Sequence, residues 1–147
     1  MTTRIDILII AKQRAAAKSL PYAGEVTPQE AFEVLREPTT LLVDVRSRAE
    51  LELVGRIPDA IHIEWAFYPG MVANPEFAAQ LQAQVDKDNT IVFMCRTGGR
   101  SHNAAVVASG LGYKAYNMLE GFEGEANAEK QRTLINGWKH AGLPWSN

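Results

Sequence analysis

The sequence alternates between short apolar runs and segments in which apolar residues recur at helical spacing. The apolar runs predict strands, because continuous apolar stretches of this length are typical of strands that are buried in a parallel sheet. They lie at residues 41–43, 61–63, 91–94 and 113–119. Helical segments that alternate with such strands predict an α/β domain with a mostly parallel sheet.

Two of the predicted helices have recognisable start signals. Residues 27–30, Thr-Pro-Gln-Glu, form a capping box with proline at the first helical position. Asn74 followed by Pro75 repeats the combination of an N-cap residue and a proline. Helical spacing predicts further helices at residues 3–18, 47–54 and 104–111, and a short helical stretch around Trp138.

The helix at residues 3–18 precedes the alternating pattern. Its apolar stripe has an ordinary width, which favours packing on the same domain over the alternative of a partner-binding arm. We therefore expect an N-terminal helix within residues 1–20, packed on a domain that spans residues 21–147. The apolar run at residues 5–11 is too short to cross a bilayer, and a secretory signal would not normally carry an aspartate such as Asp6 in its apolar region.

Composition narrows the classes of function. The chain has 147 residues, enough for one domain that buries roughly two-thirds of its unfolded surface. Its net charge of −2 gives no hint of a basic face, so we expect neither nucleic acid nor a membrane as a partner. The single cysteine forms no internal disulfide and suits a reducing compartment, so we expect a cytoplasmic location.

That cysteine begins the most informative segment, residues 95–101, Cys-Arg-Thr-Gly-Gly-Arg-Ser, which joins the strand at 91–94 to the next helix. Unpaired N–H groups at a helix N-terminus carry partial positive charge, and a glycine-rich turn can direct several of them at one point. Such a concavity binds an anion and favours the thiolate form of a cysteine at its rim. The polar neighbours of Cys95 therefore favour a nucleophile over an inert buried thiol.

The other residues of this loop are candidate substrate contacts. Arg100 either reaches the bound anion with its forked guanidinium, which we favour, or lies in solvent in the first helical turn. Arg96 either lines the pocket mouth or faces water. The remaining candidates, which we expect to act through their N–H groups, are Thr97, Gly98, Gly99 and Ser101. The Ser101 hydroxyl is also expected to cap the helix.

Two charged residues follow the strand at 41–43, whose carboxyl end should lie at the same sheet edge as Cys95. We interpret Asp44 as a structural contact that supports the loop after the strand. Arg46 either adds positive potential to the pocket, and so binds substrate, or belongs to the same structural contact. The three histidines of the chain lack metal-ligand spacing with Cys95, so we expect no metal site.

Taken together, these segments resemble a single-domain rhodanese over about residues 26–145. The segments that carry the resemblance are residues 95–101, 42–46 with Glu50, 55–60 (Gly-Arg-Ile-Pro-Asp-Ala), 119–121 and 138–144. The resemblance implies a three-layer domain in which helices cover both faces of a central five-stranded, mostly parallel sheet. It also implies a sulfurtransferase without a cofactor. In that reaction the Cys95 thiolate takes a sulfur from thiosulfate or another sulfane donor and passes it, as a persulfide, to cyanide or a thiol.

The alternatives are a phosphatase or an arsenate reductase on a related fold. Such enzymes place five residues between the cysteine and the arginine, whereas four separate Cys95 from Arg100. The shorter loop fits one sulfur atom better than a tetrahedral oxyanion, which favours the sulfurtransferase.

A persulfide carrier or sulfur sensor that acts on a protein partner is a second alternative. The N-terminal helix and an insertion at residues 122–136, which lies between two of the matching segments, are the features that could bind such a partner. The chain also departs from many family members at Arg56 and Asp59, where histidine and glycine are common.

Overall fold

The structure is a computed structural model that describes residues 3–147 of the chain. Its helices are α1 (Arg4–Ala17), α2 (Pro28–Val34), α3 (Arg48–Val54), α4 (Phe77–Gln84) and α5 (Gly99–Gly110). Its strands are β1 (Gly24–Val26), β2 (Thr40–Asp44), β3 (Ile61–His62), β4 (Ala66–Phe67), β5 (Val72–Ala73), β6 (Thr90–Met94) and β7 (Lys114–Met118). None of the helices within residues 3–147 has both the length and the apolar character needed to cross a membrane.

Five strands form a parallel sheet in the order β1-β7-β6-β2-β3. The prediction of an α/β domain around a five-stranded parallel sheet is confirmed, with helices flanking it. The apolar runs account for β2, β3, β6 and β7, but no run marks the edge strand β1, because it is only three residues long and contains Glu25. Strands β4 and β5 form a separate antiparallel hairpin that the sequence analysis also missed.

The sheet separates two apolar cores, and alternate residues of its central strands enter opposite cores. On β6, Ile91 and Phe93 belong to one core, whereas Val92 and Met94 belong to the other. All four side chains are fully buried, which explains why the sequence of this strand is continuously apolar. Cys95 continues the first face of β6 at its carboxyl end.

Helix α1 packs beside the edge strand β1. Ile7 and Ala11 of α1 join the second core, and Gly24 lies so close to the Ala11 main chain that a Cβ atom would approach its carbonyl carbon to 2.7 Å. Arg14 also binds both carboxylate oxygens of Glu30 in α2, at 2.6 and 3.1 Å. These contacts attach the helix to the sheet, while the division of the chain at residue 20 stays a prediction.

Two details of the predicted helices are wrong. Helix α4 begins at Phe77, because Asn74 uses its side-chain oxygen to accept from the Glu76 N–H at 3.0 Å in a turn before the helix. Around Trp138 the chain forms turns, with no helix. Gly137 there has a φ of 106°, and a Cβ on it would lie 2.7 Å from the Gly124 nitrogen, so this position leaves no room for a side chain.

Candidate active site

Cys95 lies at the carboxyl end of β6, beneath the turn that begins α5. The residue is 1% exposed, and its sulfur accepts two hydrogen bonds, from the Gly98 N–H at 3.1 Å and from the Ser101 hydroxyl at 3.3 Å. Gly98 has a φ of 115°, a left-handed conformation that residues with a Cβ rarely adopt. The expectation that Ser101 caps the helix is wrong, because Gly98 occupies the N-cap and the Ser101 hydroxyl points to the sulfur.

The segment after β7 holds the loop carbonyls on the side away from the sulfur. The Cys95 carbonyl accepts from the Phe122 N–H at 2.9 Å, and the Arg96 carbonyl accepts from the Glu123 N–H at 3.0 Å. Gly121 permits this approach, since a Cβ on it would lie 2.5 Å from the Arg96 carbonyl. Because the N–H and C=O of a trans peptide point in opposite directions, these contacts help to direct the loop N–H groups inward.

Of the six loop residues that follow Cys95, only Gly98 has an N–H that donates to an acceptor within residues 3–147. The N–H groups without one belong to Arg96, Thr97, Gly99, Arg100 and Ser101. The N–H groups of the first helical turn have no partner within the helix, and together with the helix dipole they favour a negatively charged group. The loop can therefore bind an anion next to the Cys95 sulfur.

Arg100 forms a two-pronged ion pair with Glu50 of α3, with nitrogen–oxygen distances of 2.7 and 3.0 Å. The Ser47 hydroxyl and N–H both donate to Oε1 of Glu50, which also accepts from Nη1 of Arg100, in a capping box at the start of α3. Burial by itself lowers the pKa of Arg100, but the hydrogen bonds and charge of Glu50, helped by Cys95 and Asp44, outweigh it and raise that pKa. Burial opposes ionisation of Glu50 as well, yet Arg100 and Ser47 lower the pKa of its carboxyl overall.

Arg46 lies elsewhere, in a buried ion pair with Asp44. Its Nη2 donates to Asp44 at 2.8 Å and to the Gly55 carbonyl at 2.9 Å, and its guanidinium stacks 4.2 Å from the Phe122 ring centre. Arg46 is 0% exposed and Asp44 is 1% exposed. Of the two roles considered for Arg46, this position fits the structural contact with Asp44. Complete burial leaves Arg46 no exposed surface from which to contact a substrate.

A cleft of about 490 Å³ opens over the loop. Its lining residues are Ser47, Ala49, Glu50, Leu53, Val54, Tyr68, Met71, Arg96, Arg100 and Glu123. Arg96 thus lines the mouth of the site, which is the first of the two positions considered for it in the sequence. The insertion at residues 122–136 contributes Glu123 to the lining. A larger groove of about 690 Å³ lies along α1, away from the loop.

Asn117 is a polar residue inside an apolar strand, and no motif in the sequence marks it as part of the site. It lies on β7, is 3% exposed, and donates from its side-chain nitrogen to the Gly98 carbonyl at 3.2 Å. The Gly98 carbonyl also accepts from the His102 N–H at 3.1 Å, and the two hydrogen bonds together set the plane of the Gly98–Gly99 peptide. The Gly99 N–H therefore points to the opposite side, where the anion would bind. Glu50 belongs to the segments that carry the family resemblance, but the sequence does not predict its contact with Arg100. Its capping box with Ser47 is the local signal that could have drawn attention to it.

We predict that Asn117→Leu slows the alkylation of Cys95 by iodoacetamide by about threefold to tenfold, the value of one hydrogen bond. Leucine cannot donate to the Gly98 carbonyl, so the His102 N–H alone holds this peptide, and the two adjacent glycines allow it wider rotation. Tyr113→Phe is the matched control, because it removes a buried hydrogen bond of 2.7 Å to the Val85 carbonyl before β7 begins. Equal alkylation rates in both variants would exclude Asn117 as a positioning residue.

No three or more His, Cys, Asp or Glu side chains within the described part of the chain, residues 3–147, are grouped so as to hold a metal ion. The chemistry available at the site is that of a thiol, two arginines, two carboxylates and a set of loop N–H groups without an acceptor of their own in the same part of the chain. Such a set can stabilise a sulfur anion and a bound oxyanion without further groups.

Comparisons with known proteins agree with this arrangement. The family model for the rhodanese-like domain matches residues 27–128. The crystal structure of Rv0390 from M. tuberculosis is 39% identical and superimposes with a TM-score of 0.78, covering 84% of this chain and 97% of that one. A sulfurtransferase of Allochromatium vinosum is 32% identical over 71% of this chain and 76% of its own length. The thiosulfate sulfurtransferase GlpE of Actinobacillus succinogenes is 27% identical over 82% of this chain and 87% of its own. Both of these relatives are named sulfurtransferases, whereas relatives from Rickettsia that are 36–37% identical are uncharacterized. The chain therefore belongs to the rhodanese-like domain family.

Proposed function

We propose that the protein transfers sulfane sulfur and that Cys95 carries the sulfur as a persulfide. The observation that carries this proposal is the pair of hydrogen bonds that the Cys95 sulfur accepts from Gly98 and Ser101. Hydrogen bonds to a charged group favour the charged form, so both donors stabilise the thiolate that attacks. The named sulfurtransferases among the relatives support the same reaction class.

With thiosulfate as the donor, the reaction has two steps. The Cys95 thiolate attacks the outer sulfur, a new sulfur–sulfur bond forms, and the bond between the two thiosulfate sulfurs breaks as sulfite leaves with its electron pair. An acceptor thiolate or cyanide then attacks the outer sulfur of the Cys95 persulfide. The bond to Cys95 breaks, the thiolate is restored, and the acceptor leaves as a persulfide or as thiocyanate.

The unpaired N–H groups of the loop suit the charges that this sequence of steps produces. Those of Arg96, Thr97, Gly99, Arg100 and Ser101 have no acceptor of their own in the described part of the chain, so they are available to the outer atom of a persulfide anion beside the sulfur. Donors that are already oriented cost no reorganisation during the reaction, and this is their main catalytic value. A loop of this size surrounds one sulfur atom.

Arg100 is proposed to orient the oxyanion part of the donor. A guanidinium has five N–H donors, and two of them bind Glu50, which leaves three that can face a substrate. Glu50 therefore acts as a positioning residue, since it holds the guanidinium at the edge of the cleft. Arg96, on the same cleft, is proposed to attract the donor at the mouth.

The proposal is tested by incubating the protein with thiosulfate and measuring its intact mass. We expect the addition of one sulfur atom, which cyanide then removes with the release of thiocyanate. Rapid turnover supports an enzyme that acts on small molecules. Stable loading with negligible turnover supports the persulfide carrier, and the absence of loading overturns the proposal.

We predict that Arg100→Ala lowers the turnover of thiosulfate more than tenfold, which corresponds to about 1.4 kcal/mol or more of transition-state stabilisation. The variant loses the guanidinium that orients the donor. It also leaves the Glu50 carboxylate unpaired beside the cleft, so the double variant Arg100→Ala/Glu50→Gln separates the two effects.

Arg48→Ala is the matched control for Arg100. Arg48 also pairs with a glutamate, Glu52, at 3.1 Å, but its side chain is 80% exposed and outside the cleft. We expect turnover close to that of the unaltered protein. An unchanged rate in Arg100→Ala would remove Arg100 from the mechanism, whereas full recovery in the double variant would reduce its role to neutralising Glu50.

A further inference from the structure

The mouth of the cleft carries a group of large apolar side chains that are exposed to solvent. This group, which we term the apolar lip, consists of Leu53, Phe67, Tyr68, Met71 and Val72. Leu53 is 81% exposed, Tyr68 65% and Val72 63%. Single exposed apolar residues are common on protein surfaces, but a contiguous group beside a reactive residue marks a binding site.

The lip is contiguous with the cleft. Leu53, Tyr68 and Met71 line the cleft itself, the first from α3 and the other two from the turn between β4 and β5. Phe67 and Val72 are paired residues of the same hairpin, so they extend the apolar surface beyond the cleft wall. The hairpin thus presents one apolar surface that begins inside the cleft and continues outside it.

The charges that line the cleft cancel. Two arginines, Arg96 and Arg100, are balanced by two glutamates, Glu50 and Glu123, and the Arg100–Glu50 pair is directly hydrogen-bonded. A strongly acidic or basic occupant gains nothing from a wall with no net charge, whereas an uncharged apolar occupant matches it. The inner loop, with its N–H groups, keeps its preference for the small anion.

The combined size of the cleft and the apolar lip indicates whether the sulfur acceptor is a small molecule or a polypeptide. A cleft of about 490 Å³ lies in the range that holds drug-sized ligands, so cyanide would leave most of it empty. A small thiol that fills the cleft would still leave Phe67 and Val72 uncovered, because they lie outside it on the hairpin. A polypeptide segment covers both parts.

We infer that the physiological sulfur acceptor is a cysteine on an uncharged, apolar segment of a partner protein, and that this segment docks on the apolar lip. This inference rests on the proposed function of Cys95. In the transfer, the partner's thiol first loses its proton to solvent, and its thiolate attacks the outer sulfur of the Cys95 persulfide. The bond to Cys95 breaks, Cys95 returns as a thiolate, and the partner's cysteine carries the persulfide.

The test follows sulfur transfer from protein that has been loaded with thiosulfate and freed of excess donor. Its probes are two uncharged peptides with one cysteine each, flanked by leucine and phenylalanine in the first and by serine and glycine in the second. We expect the apolar peptide to react at least about tenfold faster, a preference that burial of one apolar side chain can supply. Benzyl mercaptan and cyanide serve as small acceptors in parallel.

Variants of the lip assign the preference to this surface. We expect Leu53→Ser and Met71→Ser to lower the rate with the apolar peptide at least fivefold more than the rate with cyanide. Ile9→Ser is the matched control, because Ile9 is 51% exposed on α1, beside the groove that lies away from the loop. It should leave both rates as they are.

The outcomes distinguish this inference from the proposed function. If intact mass shows that Cys95 does not load, the proposed function fails. If Cys95 loads but the two peptides react equally, or the lip variants lose no preference, the docking surface is overturned. Transfer to benzyl mercaptan as fast as to the apolar peptide would assign the cleft to a small apolar thiol and overturn the protein acceptor.

Discussion

Cys95→Ser is expected to lower thiocyanate formation from thiosulfate and cyanide by roughly 10⁴-fold or more, the scale seen when a covalent nucleophile is removed. The chain contains one cysteine, so no second thiol can replace it. The unaltered protein should gain one sulfur atom on treatment with thiosulfate, and the variant should gain none. A serine hydroxyl remains protonated at neutral pH. Within residues 3–147 the hydrogen-bond partners at this position are the Gly98 N–H and the Ser101 hydroxyl, and neither is a base that could activate it.

The control for this prediction is the fold of the variant. Serine is close in size to cysteine, and the Gly98 N–H and the Ser101 hydroxyl can still donate to its oxygen. We therefore expect a thermal unfolding midpoint within a few degrees of the original, about the shift that 1 kcal/mol produces in a domain of this size. Persistent sulfur loading in a folded Cys95→Ser protein would contradict the persulfide mechanism.

Arg46→Met is expected to lower the free energy of unfolding by about 3–5 kcal/mol. The substitution leaves the Asp44 carboxylate buried and without its partner, and an unpaired buried charge is among the most destabilising changes that a protein can undergo. It also removes the hydrogen bond to the Gly55 carbonyl and the contact with the Phe122 ring. Urea unfolding measures the effect through the midpoint at an unchanged m value.

Two variants show whether the buried charge causes this loss. Arg36→Met removes an arginine that pairs with Glu33 at 3.4 Å and is 74% exposed, so a change within about 0.5 kcal/mol is expected. The double variant Asp44→Asn/Arg46→Met removes both charges and should recover part of the stability. A cost below about 1 kcal/mol for Arg46→Met would show that Asp44 does not depend on this pair.

Arg46 and Arg100 show which contacts the sequence does not predict. Arg46 lies two residues after Asp44 and Arg100 lies five residues after Cys95, so the sequence makes both arginines candidates for the pocket. Arg46 pairs two residues away with Asp44, but its complete burial depends on Phe122, which lies far along the chain. Arg100 binds Glu50, fifty residues earlier, and neither residue carries a local signal that names the other.

Strand β1 and Asn117 are features that the sequence did not predict. The role of each depends on contacts with a segment that is distant in the chain. Strand β1 is too short to show a pattern and is stabilised by pairing with β7. Asn117 interrupts the apolar pattern of β7. Its role follows from the hydrogen bond that it donates to the Gly98 carbonyl, a contact that only the folded structure shows. Asn74, in contrast, has the local sequence of a helix cap. In the structure its side chain accepts from the Glu76 N–H in a turn that precedes α4.

Local sequence was sufficient for the central strands, for the capping box that begins α2 and for the loop that starts at Cys95. Each of these depends on interactions within a few residues or on simple burial of an apolar run. The parallel sheet decided the rest, since it brings the carboxyl ends of β2, β6 and β7 to one edge although they are distant in sequence. Only that arrangement gives Arg100 its carboxylate partner, removes Arg46 from the cleft and places the apolar hairpin beside the sulfur site, because contacts between distant segments are set by packing.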